Sequence, residues 1–292
     1  MTTFITQILN GLQIGAIYAL VALGYSMVYG IISLLNFAHG DVIMVGAYIA
    51  WFSMTTLGLH PLLSVLLVII LCALLGMGIE KVAYAPLRSA PRLSLLITAI
   101  GISYLLENLA QLIFGSGAKR VPKIISIDTI HIGSFDLSGV TLTTLLVSVA
   151  CTALLTLLVK KTKIGKAMRA VSEDTDTARL MGINANRTIS FTFAVGSALA
   201  GIGSVLYCSA YPLASPTMGS MLGLKAFVAA VLGGIGSIPG AVLGGVVIGL
   251  AETLVTAVGL STWRDAVTFV ILIIVLLVKP SGILGKKKVE KV

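Results

Sequence analysis

Charge is what this sequence has least of. Only 11% of its 292 residues are charged, against about 25% in an ordinary soluble domain. The mean hydropathy of +1.06 points the same way. Basic residues are missing altogether before Lys81, so the opening stretch MTTFITQILNGLQIGAIYAL lacks the cationic start of a cleavable signal peptide. Cysteine is scarce too: Cys72, Cys151 and Cys208 each sit in apolar surroundings. They show neither disulfide nor metal spacing and read as small buried hydrophobes. No GxxxxGK[ST] phosphate loop occurs, since GSGAKR at 115–120 has the wrong spacing, and GGIGSIPG at 233–240 fails the GxGxxG pattern. A soluble enzyme, a nucleotide-binding chain and a disulfide scaffold are all excluded.

What is present is long apolar runs. Segments 8–29, 41–58, 61–80, 93–114, 140–159, 189–210, 224–235, 240–258 and 265–279 read as membrane candidates. Most approach the roughly 20 residues that span a hydrocarbon core. They are continuously apolar rather than alternating, which argues against a β-barrel. The expected fold is all-α: one polytopic helical bundle over residues 1–292, with eight or nine transmembrane segments and glycine-interrupted helices. The 31 glycines cluster in stretches such as GSALAGIGS (196–204) and GAVLGGVVIG (240–249), where small residues let helices approach closely in lipid.

The net charge of +9 is a topology signal. Fifteen of the twenty Lys and Arg residues fall in 80–92, in 160–188 and at the C-terminus, the clustering expected of cytoplasmic faces. The same count leaves 115–139 outside the cytoplasm, with a small hairpin expected in RVPKIISIDTIHIG. It puts the C-terminus inside and the N-terminus outside. Glu80, beside Lys81, reads as an interfacial anchor, and Glu252 reads as lying towards the outer side, facing Arg264 or solvent.

The cytoplasmic loop 160–188 is expected to hold a helix two or three turns long. Glu173, Asp174 and Asp176 make an acidic first turn, Arg179 comes near the end, and Gly182 stands where a left-handed cap is wanted. Ala178, Leu180 and Met181 would form an apolar ridge. A helix this short is unstable alone in water and needs a surface to dock on.

Ionisable residues inside spans are functional candidates by default. Asn36, His39, Gly40 and Asp41 occupy the break LLNFAHGD between the first two spans. There Asp41 could meet the positive end of the second helix, with His39 and Asn36 satisfying opened backbone. Glu107 and Asn108 lie in the fourth segment. A second interruption covers Gly233, Gly234, Gly236 and Ser237, in a position corresponding to the first. Paired interruptions are tolerated where backbone is buried in protein or lines a wet cavity. These ten residues are the translocation-path or gate candidates.

Three stretches, GLQIGAIYALVALGYSMVYGIISLLNFAHGDVIMVGAYIA, GKAMRAVSEDTDTARLMGI and GGIGSIPGAVLGG, resemble the LivH-type permease family of branched-chain amino acid ABC importers. The resemblance covers nearly the whole chain. It implies a bacterial inner-membrane permease that pairs with a second, related permease. Two cytoplasmic ATPase subunits would bind ATP and Mg, leaving no cofactor on this chain, and an extracytoplasmic binding protein would deliver leucine, isoleucine or valine. The family's permease signature begins Glu-Ala-Ala and keeps a later glycine; this chain carries Asp176-Thr177-Ala178 and Gly182. By that resemblance the ATPase-coupling residues are Arg169, Glu173, Asp174, Asp176, Ala178, Arg179, Met181 and Gly182. Family members for other amino acids, amides or urea share these features. An ion-coupled carrier using Asp41, His39 and Glu107 as a proton relay, or a passive channel, are the alternatives from other classes.

Overall fold

The computed structural model describes residues 2–32, 35–88, 90–132 and 135–285, and it is all-α. Nine helices correspond to the nine apolar segments: α1 (Thr2–Ile32), α2 (His39–Thr55), α3 (Pro61–Ile79), α4 (Arg92–Phe114), α5 (Gly139–Lys161), α8 (Ala185–Ala210), α9 (Met218–Gly233), α10 (Ile238–Ala257) and α11 (Arg264–Val278). Two more, α6 (Lys163–Glu173) and α7 (Thr175–Leu180), fill the loop between α5 and α8. Among the described residues, seven helices are long and apolar enough to cross a membrane, while α9 has only sixteen residues. The third segment runs beyond its expected end: α3 continues through a π turn, Glu80–Tyr84, and a 3-10 turn, Ala85–Leu87.

Helix α1 is the central mast, packed against α10, α8, α5 and α9. Of its most apolar window 78% is buried, against 6% for the span ending in α11. Equal hydropathy therefore serves two purposes, a core helix and a wall helix facing outwards. The α1–α10 seam is built on glycine. A Cβ on Gly15 would sit 2.8 Å from the Gly245 carbonyl oxygen, and one on Gly245 would lie 2.5 Å from the Ala19 nitrogen. Close backbone approach of this kind is how helices gain van der Waals contact where lipid removes the hydrophobic drive.

Short strands close the end opposite the basic loop. Strand β1 (Lys119–Arg120) pairs antiparallel with β4 (Leu213–Ala214), and β2 (Ile130–Ile132) pairs with β3 (Phe135–Leu137). The expected hairpin thus exists, but it starts near the end of the stretch singled out for it. Part of that stretch is instead tied across the sequence to the segment after α8.

Candidate functional site

The basic loop is not a solvated run followed by one helix; it is two helices with different jobs. The Thr162 hydroxyl accepts from the Gly165 N–H at 3.0 Å and starts α6. Gly165, Met168 and Val171 turn inwards, so α6 packs against α5, α8 and α1. Arg169 donates to the Val159 carbonyl. The three acids also separate: Glu173 ends α6, while Asp174 caps α7 by accepting from Asp176 N–H at 2.8 Å and Thr177 N–H at 3.0 Å. Such a cap contributes about 1 kcal/mol. Asp176 and Arg179 pair at 3.3 Å on the exposed face. Gly182 has φ +82°, with Ile183 N–H returning to the Ala178 carbonyl at 3.0 Å, a left-handed stop that glycine adopts without a Cβ penalty. The expected apolar ridge is split. Ala178 is buried, whereas Leu180 and Met181 stand out at 87% and 79% exposure.

The first break lies inside the bundle. The Tyr25 and His39 rings meet edge to face at 4.8 Å, and a Cβ on Gly24 would come 2.6 Å from His39 Cε1. Gly24 lies eight residues before the end of α1, about 12 Å into the bundle. Helix α2 therefore begins within the protein, where opened backbone is tolerated because protein surrounds it. Asp41 stands in the first turn of α2, where its charge meets the positive end of the helix as expected, though it is not the cap. Ala38, not Asp41, is the N-cap and brings no side-chain bond; the His39 N–H goes to the Asn36 carbonyl at 3.1 Å. The Asn36 side chain is occupied elsewhere, accepting from the Tyr84 hydroxyl at 2.9 Å. Asp41 accepts from Ser103 on α4 through one oxygen. Its other oxygen and His39 Nε2 are buried without a hydrogen-bond partner among the described residues.

Glu107 continues that seam. It is one turn beyond Ser103 on α4 and accepts from Ser220 at the start of α9. Between them, a Cβ on Gly40 would sit 3.0 Å from Gly223 Cα, so α2 and α9 touch almost backbone to backbone. Asn108 is not part of this seam: it is exposed, and its Nδ2 donates to its own helix at the Tyr104 carbonyl, 2.7 Å away.

The second break belongs to another place. Gly234 and Gly236 have φ +101° and +90°, and Ser237 caps α10 by accepting from Gly240 N–H at 3.2 Å. Gly233 packs on Gly240, and a Cβ on Gly30 of α1 would lie 3.5 Å from Gly236 Cα. A cavity of about 110 Å³ joins Gly30, Gly236, Met168, Arg169 and Ser172. The fold thus brings Arg169 of the basic loop to the α9–α10 break, and puts Asn36 to Asp41 elsewhere.

Two clusters of charge went unrecognised or misread. Glu80 is fully buried and bound by Arg88 and Ser190, so it is no surface anchor. Glu252 is likewise buried, with Arg264 Nε at 3.2 Å; it faces Arg264 as expected but not solvent. Its Oε1 also meets Lys225 Nζ at 2.9 Å, and it accepts from Tyr18 and Thr268, each at 2.9 Å. Lys225 reaches Asp265 at 2.6 Å as well. Lys225 stands inside an apolar segment, and that alone was the signal that could have found it.

The sequence profile of the family described as "Branched-chain amino acid transport system / permease component" matches residues 7–276. This chain belongs to that family. The permease is 43% identical to the high-affinity branched-chain amino acid transport system permease protein BraD of Pseudomonas aeruginosa, over 99% of this chain and 98% of the relative. It is also 43% identical to the LivH permease protein of Salmonella typhimurium, with the same coverage. A probable LivH of Methanocaldococcus jannaschii is 30% identical over 91% of the permease and 88% of the relative. No solved structure matches. Family membership makes the permease a multi-pass transport component of the inner membrane and not an enzyme.

Proposed function

We propose that this permease is the membrane-spanning subunit of an ABC importer that moves leucine, isoleucine and valine inwards. The near full-length similarity to permeases named for that transport supports the substrate, and the absence of a phosphate loop assigns ATP to other chains. The carrying observation is the α6–α7 pair. Leu180 and Met181 form an unpartnered apolar tip on a capped helix, while α6 beneath it is rooted against α1, α5 and α8. A tip that docks on an ATPase, and a root that reaches the Gly236 break, form a mechanical lever. In this reading the basic end is cytoplasmic, by the positive-inside rule, the C-terminus is cytoplasmic, and 115–139 faces outwards. Two ATPases bind below, a related permease completes the pathway, and a binding protein delivers substrate from outside.

The test is leucine uptake by vesicles holding the assembled importer, with and without ATP. ATP-dependent uptake is expected. Uptake that persists without ATP and collapses with the proton gradient would overturn the reading in favour of an ion-coupled carrier centred on His39 and Asp41, whose buried, unpartnered atoms are the one feature favouring it.

A further inference from the structure

Resting on that importer reading, we infer that the open cavity lined by α1, α8, α9 and the start of α11 is a substrate-holding site. It would take an aliphatic amino acid as a zwitterion, with the carboxylate on Lys225 and Arg264 and the side chain among methionines and leucine.

The cavity measures about 240 Å³, and its lining combines Ile17, Met218, Met221 and Leu222 with Lys225 and Arg264. Those are the groups an amino acid with an oily side chain would need. Methionine suits such a wall because its unbranched thioether adapts to several aliphatic shapes. Tyr207 and Tyr211, with ring centroids 5.1 Å apart, line the same space, and aromatic rings attract an ammonium group. A second cavity of about 400 Å³ adjoins it, with Gln7, Asn10, Gln13, Thr141 and Thr256 in its lining, and the two share Ile14, Tyr211 and Arg264. A zwitterion would cross this second chamber, pass the guanidinium and reach the first.

The ion network explains how such a site binds without trapping. Two cations face two carboxylates, so the empty site is already neutral. Glu252 is held by four donors and stays. Asp265 is 48% exposed and loses little by turning to water, so an incoming carboxylate can replace it at Lys225 with no change in charge. Arg264 uses only Nε on Glu252, and its terminal nitrogens take no hydrogen bond among the described residues.

The experiment compares leucine and valine uptake by the full importer carrying Met221→Trp or Met221→Ala. Met221 is 47% exposed, which makes both changes tolerable to the fold. Filling the cavity should lower the leucine-to-valine uptake ratio by about tenfold, the scale on which one methylene is discriminated, and Met221→Ala should raise it. Arg264→Gln should raise the half-saturating leucine concentration by about tenfold, the scale of one lost charged contact. A ratio unmoved in both Met221 variants overturns the site. An unmoved half-saturating concentration overturns the carboxylate assignment. If Met221→Trp abolishes all transport, the Met221→Ala ratio decides. Wild-type importer that takes up neither amino acid with ATP would overturn the importer reading itself.

Discussion

Glu252→Leu should destabilise the permease more than any other single change in its ion network, and a second substitution should partly repair it. The wild-type carboxylate is fully buried and meets four donors: Lys225 at 2.9 Å, Arg264 at 3.2 Å, and the Tyr18 and Thr268 hydroxyls at 2.9 Å. Removing it leaves Lys225, itself buried, with only Asp265 at 2.6 Å. Breaking a buried pair costs about 3–5 kcal/mol because the surviving charge is left uncompensated, and the orphaned Tyr18 hydroxyl adds about 1–3 kcal/mol, while Thr268 keeps the Arg264 carbonyl at 3.4 Å. These costs overlap, so the lower bound is about 3 kcal/mol, a fall in Tm of roughly 6–12 °C for a chain of this size. Adding Lys225→Met removes the stranded ammonium and lets Asp265 turn to water. The double variant should therefore melt above Glu252→Leu alone. Arg264→Gln, at 37% side-chain exposure, should cost about 1 kcal/mol or less. Thermal unfolding of purified, detergent-solubilised permease reads all three. A double variant less stable than Glu252→Leu would refute the account of a buried charge left without its partner.

Further outcomes follow from the packing. Leu180→Asp should leave stability within about 0.5 kcal/mol of wild type, because the residue is exposed, yet abolish co-purification of the ATPases; retained co-purification would remove α7 from the coupling role. Gly182→Ala should lower stability by about 1–2 kcal/mol, the cost of a Cβ at positive φ, measured by thermal unfolding of the same preparation. Gly245→Val should cost about 1–3 kcal/mol or more, since the new side chain meets the α1 backbone. An unchanged Tm there would contradict the α1–α10 seam.

Much of the helical plan was legible because lipid imposes a length on every span. All nine apolar segments are helices, and even the short 224–235 run is the sixteen-residue α9. The basic loop was legible in kind and wrong in detail. Hydropathy and capping signals found Asp174 and Gly182, but the inward face of α6, Gly165, Met168 and Val171, is spaced through a lysine-rich stretch and was hidden by it. Lys225 was missed for the opposite reason: one cation in an apolar run changes the average little, and its partners are 27 and 40 residues away on other helices. Local reasoning found the place of Asp41 in the first turn of α2 but not its partner, Ser103, which is tertiary.

The sequence by itself determined that this is a helical membrane protein, where its helices run, and which loop is basic. Those properties follow from hydropathy, span length and charge placement, each readable along one dimension. Only the tertiary structure decided which apolar helix is the mast and which the wall, how deep α2 begins, and that Arg169 and Gly236 line one cavity while Lys225 meets Glu252. Those outcomes depend on which helix faces touch, and in a chain so uniformly apolar the faces are distinguished by glycine contacts and buried ion pairs that only packing brings together.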